Sequence, residues 1–228
     1  SMGDVGIYSF QINKMISSGE GGAVVTSNPL IYERAVRYHD VGIFREIFEK
    51  RTGSNQAGSE GGQNFRLNEF TGAVLDAQLP KLDTMIQDMR RNAKAIADGI
   101  KDLPGLRWRK QPDPEGDTGY AVGIEVKNRE ARDRFISELH KWKVPAATLV
   151  GSVLLPLEES VINKQVRHPN WPSFNSPEGK AIQYGPECCR QTLDVFNRFV
   201  LIRVGPKYTE AMNQQIIAAV REIFPKIS

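Results

Sequence analysis

Residues 8–26 read Tyr8-Ser9-Phe10-Gln11-Ile12-Asn13-Lys14-Met15-Ile16-Ser17-Ser18-Gly19-Glu20-Gly21-Gly22-Ala23-Val24-Val25-Thr26. The apolar run that leads into this stretch, Val5 to Phe10, has the composition of a strand, and Ala23 to Thr26 has that of a second. Between them a single lysine stands just before a glycine-rich turn. Backbone amides in such a turn can hold a phosphate. A lysine near such a site, or partly desolvated, can act as a Schiff-base nucleophile. The plainer alternative is a solvated surface lysine. A Walker A loop is excluded, because there the lysine follows its glycines.

Working outward, Asn28-Pro29 is a helix start, with Asn as cap and Pro at the first helical position, and the helix is expected from Pro29 to about His39. Residues 52–63 form a polar, glycine-rich loop of a length that tends to be functional or disordered. A long helical stretch follows from Asn68 to about Ile100, with a kink or break expected at Pro80. Asp113 to Gly119 reads as a turn between strands near Leu106–Arg109 and Tyr120–Val126. Arg129 to Trp142 is an amphipathic helix with Phe135, Ile136 and Leu139 on one face. Residues 144–185 show little periodicity and are expected to be largely irregular. Pro186 to about Leu193 reads as a short helix. Phe199 to Val204 is a strand run, and Thr209 caps a closing helix to Ile223. Alternating strands and helices argue for layered α/β architecture.

Composition narrows the function classes. The 228 residues are 40% hydrophobic and 25% charged, as in ordinary globular domains. A net charge of +3, from 30 basic against 27 acidic residues, is too small to argue for nucleic acid or anionic membrane. No apolar run approaches the roughly 18 residues of a membrane helix, and no signal peptide is visible. Cys188 and Cys189 are adjacent, which disfavours a bridge, and with no other ligand cluster nearby no metal site is expected. Two thiols without an export signal lead to a cytoplasmic expectation.

A second block, Gly62-Gln63-Asn64-Phe65-Arg66-Leu67-Asn68-Glu69, continues into Ala77-Gln78-Leu79-Pro80-Lys81-Leu82-Asp83. Together the two blocks resemble the DegT/DnrJ/EryC1/StrS family of pyridoxal-phosphate-dependent sugar and cyclitol aminotransferases. In that family a Ser-Phe pair precedes the cofactor lysine, a Gly-Glu-Gly-Gly turn follows it, and a Gly-x-Asn-(Tyr/Phe)-Arg motif comes later. The resemblance spans the chain and thins after about residue 105.

The resemblance implies an α/β fold, the C-terminal part of a fold-type I transferase. Residues 1–75 would be the remnant of a large parallel-sheet cofactor domain, 76–100 connecting helices, and 101–228 a small C-terminal α/β domain. It implies that Lys14 is the Schiff-base lysine and moves the proton between substrate and cofactor. It also implies that Ser9 donates to the cofactor phosphate, and that Asn64 reaches the phosphate in a partner chain of a homodimer with shared sites. Ser9 as an ordinary strand serine and Asn64 as a helix-initiating residue stay open beside these roles. Gln11 stands where many relatives carry histidine. The Phe10-Gln11 pair is typical of members acting on cyclitols, making Gln11 a candidate substrate contact. His168, in His168-Pro169-Asn170-Trp171, is a second candidate contact, with a surface-loop histidine as the plainer alternative. Gly19, Gly21 and Gly22 are expected to serve the turn, and Arg66 to stabilise the loop or an interface.

Two functions remain in view. One is amino transfer from glutamate or glutamine to a keto-sugar or keto-cyclitol, centred on Lys14. The other is a truncated, non-catalytic, dimerising α/β module. Relatives begin well upstream of this lysine, and the first strand needs partners, so further sequence upstream is expected.

Overall fold

The opening apolar run becomes β1 (Gly6–Ser9), which pairs antiparallel with β2 (Gly22–Val25) in the computed structural model, Gly6 opposite Val25 and Ser9 opposite Gly22. The structure describes residues 2–53, 55, 58, 61–148, 154–168 and 172–227. The chain divides into two units, Ser1–Thr84 and Met85–Ser228.

In the first unit, both faces of the β1–β2 ribbon carry exposed apolar side chains. Ile7 is 81% and Val24 51% exposed, and Tyr8 and Val25 are also open. Helix α1 (Pro29–His39) begins where Asn28 Oδ1 accepts the N–H groups of Leu30 and Ile31, and it buries Glu33 and Val36. Asp40 ends it. A short helix α2 (Glu46–Thr52) follows, stopped by Gly53 in the left-handed region; periodicity over so few residues had not marked it. Helix α3 (Glu69–Gln78) starts with Asn68 Oδ1 accepting Thr71 N–H at 2.9 Å. Pro80 lacks an N–H and its ring crowds the preceding turn. Accordingly, residues 79–81 tighten into a 3-10 turn before α4 (Leu82–Ile100).

The second unit is a four-stranded sheet with helices on one face. β3 (Arg107–Trp108), β4 (Ala121–Glu125), β5 (Ala146–Ala147) and β6 (Phe199–Arg203) lie in the order β3-β4-β6-β5, every named pairing antiparallel. Alternation sets the layers. Val122, Ile124, Val200 and Ile202 join one core with Ile96 and Ile100 of α4, Phe135 and Leu139 of α5 (Arg129–Lys141), and Ile216, Val220 and Ile223 of a C-terminal helix, Glu210–Ile223. Ala121, Phe199 and Leu201 cluster on the opposite face. Full burial of each large aliphatic or aromatic side chain contributes about 1.5–3 kcal/mol. On α5 the third buried residue is Arg132, with Ile136 only half-buried. Arg132 stays inside because its guanidinium donates to Phe196 O at 2.7 Å and pairs with Asp133.

The stretch expected to be irregular holds short helices instead. Leu155–Leu157 is a 3-10 turn, followed by α6 (Glu159–Ile162), α7 (Pro172–Asn175) and α8 (Pro177–Ala181). Each is four or five residues or fewer, too short to show a period. Pro186–Cys189 is 3-10 and runs into α9 (Arg190–Arg198); the C-terminal helix, α10 (Glu210–Ile223), is capped by Thr209. No described helix is long and apolar enough to cross a membrane.

Candidate functional site

Lys14 sits on a loop whose two ends are tied together. Phe10 N–H donates to Gly21 O at 2.8 Å, while Phe10 O accepts Ser18 N–H and the Ser17 hydroxyl, each at 3.1 Å. Inside that closure, Ser17 Oγ accepts Gly19 N–H, and the Ser18 hydroxyl donates to Glu20 O. Gln11 bridges to Gly19, and Gln11 O accepts Lys14 N–H at 2.9 Å. Ile16 is buried beneath the loop and anchors it. Gly19 and Gly21 take φ of +89° and +149°, conformations that side chains resist, so they serve the turn.

The result is a braced loop that leaves its lysine outside. Lys14 is exposed, and its ammonium has no hydrogen-bond or ion-pair partner among the described residues. Ser9 closes β1 five residues before Lys14; its Oγ accepts Gln11 N–H at a long 3.4 Å, and its hydroxyl proton has no acceptor among the described residues. Ser9, Gln11 and Lys14 therefore share one segment.

Asn64 lies on another segment of the same unit, laid along the end of α1. Gln63 N–H donates to Tyr38 O at 2.7 Å, Phe65 N–H to His39 O at 2.9 Å, and Val41 N–H to Gln63 O at 3.1 Å. Asp40 and Asn64 form an isolated antiparallel bridge. Gly62 permits this approach: a Cβ there would stand 2.5 Å from Gly42 N and 2.7 Å from Arg37 O. Asn64 is exposed, its Oδ1 accepting only Arg66 N–H at 3.4 Å. Two residues on, Leu67 reaches the glycine turn, its Cδ1 lying 3.2 Å from where a Cβ on Gly21 would be. The two motif segments thus meet at Leu67 and Gly21.

Asp40 was not picked out as a site residue. It is 2% exposed, with Oδ2 2.6 Å from Arg45 Nε and Oδ1 2.5 Å from Arg66 Nη1. The guanidinium of Arg45, and then that of Arg66, hold its carboxyl down to about 2. One sequence signal was available: an acid at a helix C-terminus opposes the macrodipole and needs cations. Arg66 accordingly fastens the loop, as expected of it.

His168 is exposed in the second unit, and Pro169, Asn170 and Trp171 lie outside the described residues. His39 bonds the Val36 carbonyl within α1 at 2.6 Å, and His140 ties α5 to β5 through the Ala146 carbonyl at 2.7 Å. A cavity of about 440 Å³ in the second unit, lined by Ala93, Trp108, Arg109, Asp117 and Gly123 among others, contains none of the expected site residues. No group of three His, Cys, Asp or Glu residues suited to a metal occurs among the described residues, and both cysteines are free.

Chemically, the first unit offers an amine, a hydroxyl proton and a carboxamide NH2 that have no partner among the described residues. An amine can take a carbonyl, and the other two can donate to phosphate oxygens. That donor set fits an aldehyde that also bears a phosphate.

A model of the DegT/DnrJ/EryC1/StrS aminotransferase family matches residues 1–169. The chain is 25% identical over 197 residues to GDP-perosamine synthase of Vibrio cholerae, covering 80% of this chain and 52% of that protein. It is 29% identical over 133 residues to L-glutamine:2-deoxy-scyllo-inosose aminotransferase of Streptomyces kanamyceticus, covering 57% and 31% respectively. The crystal structure of the sugar aminotransferase CalS13 from Micromonospora echinospora aligns with a TM-score of 0.70 at 22% identity, covering 97% of this chain and 53% of that one. The chain spans about half the length of these relatives or less. Its fold is part of the fold-type I architecture, and the structural likeness carries the fold alone. With its model matched over 169 of 228 positions, the chain belongs to the DegT/DnrJ/EryC1/StrS aminotransferase family.

Proposed function

We propose that this chain takes part in pyridoxal-phosphate-dependent transfer of an amino group, from glutamate or glutamine to a keto-sugar or keto-cyclitol. Its family is pyridoxal-phosphate-dependent, and relatives named GDP-perosamine synthase and L-glutamine:2-deoxy-scyllo-inosose aminotransferase support that substrate class. The observation that carries the reading is the partnerless Lys14 amine on a loop braced at both ends.

When bound, the cofactor supplies an aldehyde and an electron-withdrawing ring. Lys14 would hold the group through its amine, and once freed by the amino donor its Nζ would carry a proton at the reacting centre. Ser9 Oγ would donate to a phosphate oxygen. Asn64 Nδ2 would donate to the phosphate in a partner chain's site, which requires a homodimer as the working form. Gln11 offers a donor and an acceptor to a hydroxylated acceptor substrate. The first unit would be the end of the large cofactor domain, the second the small domain, and the compartment the cytoplasm.

A different reading, a dimerising module without turnover, is favoured by the exposure of Lys14 and of both ribbon faces. Titrating the chain and its Lys14→Ala variant with pyridoxal phosphate separates the two. A visible absorbance shift present in the first and absent in the second supports the catalytic reading. Equal spectra contradict it.

A further inference from the structure

The end of α1 holds more structure than a helix stop requires. Val41 has φ +52°, a conformation that a β-branched residue adopts only under constraint. Its N–H donates to Gln63 O, and Gly42 N–H returns to Arg37 O at 2.7 Å. On one side stands Asp40, 2% exposed; on the other, Gly62 leaves no room for a side chain. Tyr38 and Phe65 rings lie 6.0 Å apart over the same junction. The Val41–Gln63 bond, the close approach at Gly62, the Tyr38–Phe65 ring pair and the Asp40–Arg66 ion pair all fix residues 62–66 against the end of α1. Within that segment the Asn64 side chain is exposed, and among the described residues its carboxamide has only the long 3.4 Å bond from Arg66 N–H.

We propose that Asp40 is a positioning residue: through Arg66 its buried carboxylate fixes residues 62–66 so that the Asn64 carboxamide faces outward to receive a phosphate. The inference rests on the reading of Asn64 as a phosphate donor and adds what holds it in place. The linkage is short. Arg66 belongs to the same segment as Asn64 and its Nη1 reaches Asp40 Oδ1 at 2.5 Å, while its N–H is the group that Asn64 Oδ1 accepts. From outside the segment Arg45 Nε donates to the other oxygen of Asp40 at 2.6 Å, and its Nη2 reaches Oδ1 at 3.3 Å. Both guanidiniums are about half exposed, 52% for Arg45 and 45% for Arg66. Together with the one carboxylate they leave a net positive charge beside Asn64, which also favours an anion. Arg45 provides an internal control: its loss removes an ion pair from Asp40 while leaving the closer Arg66 Nη1 contact in place.

The test compares the affinity of the whole chain for pyridoxal phosphate with that for pyridoxal, which lacks the phosphate. The ratio of the two is read for the unaltered chain and for Asn64→Ala, Asp40→Asn, Arg66→Gln and Arg45→Gln, with thermal unfolding of each as a folding check. One hydrogen bond to a charged oxygen is worth about tenfold in affinity. Asn64→Ala should therefore cut the phosphate preference about tenfold, with Asp40→Asn and Arg66→Gln close to it. The double variant Asp40→Asn with Asn64→Ala should fall no further, because both act through one contact. Arg45→Gln should lower the melting temperature yet keep the preference. If Asn64→Ala loses the preference and folded Asp40→Asn and Arg66→Gln keep it, the positioning role is overturned and the Asn64 reading stands. If Arg45→Gln loses it equally, the effect is general destabilisation, and the positioning role is again overturned. If Asn64→Ala matches the unaltered chain, including the case in which neither prefers the phosphate, the Asn64 reading fails and this inference with it.

Discussion

Arg66 Nη1 stands 2.5 Å from Oδ1 of Asp40, joining positions 26 residues apart and fastening the Asn64 segment to the end of α1. Asp40 closes α1, where the carbonyl ends of the helix repel an anion. Its position is tolerable because two guanidiniums face it.

The pH dependence of that junction follows from the sign of the shift. Asp40 is held down to about 2, first by Arg45 and then by Arg66, against about 3.9 in an unfolded chain. A depressed carboxyl contributes stability that is fully present above the unfolded value and is lost as pH falls through the folded one. Unfolding of the unaltered chain and of Asp40→Asn, measured from pH 6 to pH 2, should give two curves. They should stay separated above about pH 4 and converge toward about pH 2. A constant separation across that window would contradict the assignment.

Val41 supplies a second test. A β-branched residue held at positive φ costs on the order of 1–3 kcal/mol, and Val41 is 47% exposed, so it loses little packing on replacement. Val41→Gly should raise stability by about 1 kcal/mol in denaturant unfolding, part of the relief being offset by the greater freedom of glycine when unfolded. A loss of stability would mean that the valine is not strained.

Gly62 makes the opposite prediction. A Cβ there would meet only backbone, Gly42 N at 2.5 Å, Arg37 O at 2.7 Å and Tyr38 O at 2.8 Å, and none of these can swing aside. Gly62→Ala should cost about 1–3 kcal/mol, as overpacking does, and should speed amide exchange at Val41, Gln63 and Phe65. Unchanged exchange at those amides would show that the close approach is not required.

Much of the fold was legible because local chemistry decided it. Asn28-Pro29 and Thr209 announced helix caps, and both side chains cap as expected; Asn68, read only as the first residue of a helical stretch, caps α3 as well. Pro80 announced the break between α3 and α4. Even-numbered Val122, Ile124, Val200 and Ile202 reach the core as alternation requires. The pieces that escaped were those settled by distant partners. Helix α2 and the turns between 155 and 181 are too short to carry a period. Arg132 is buried by a carbonyl 64 positions away, and nothing beside it in sequence says so. In the site, Lys14 with its glycine turn stood out by composition. Asp40 did not, because its meaning depends on Arg66 across a loop. The charge of Asp40 at a helix end was the one local hint.

The most direct test of the central claim is to add pyridoxal phosphate to the purified chain, reduce with borohydride, digest, and map the modified peptide by mass spectrometry. A single cofactor-sized addition is expected on the peptide carrying Lys14, abolished in Lys14→Ala. An unmodified chain, or an addition spread over surface lysines and unchanged in Lys14→Ala, would contradict it.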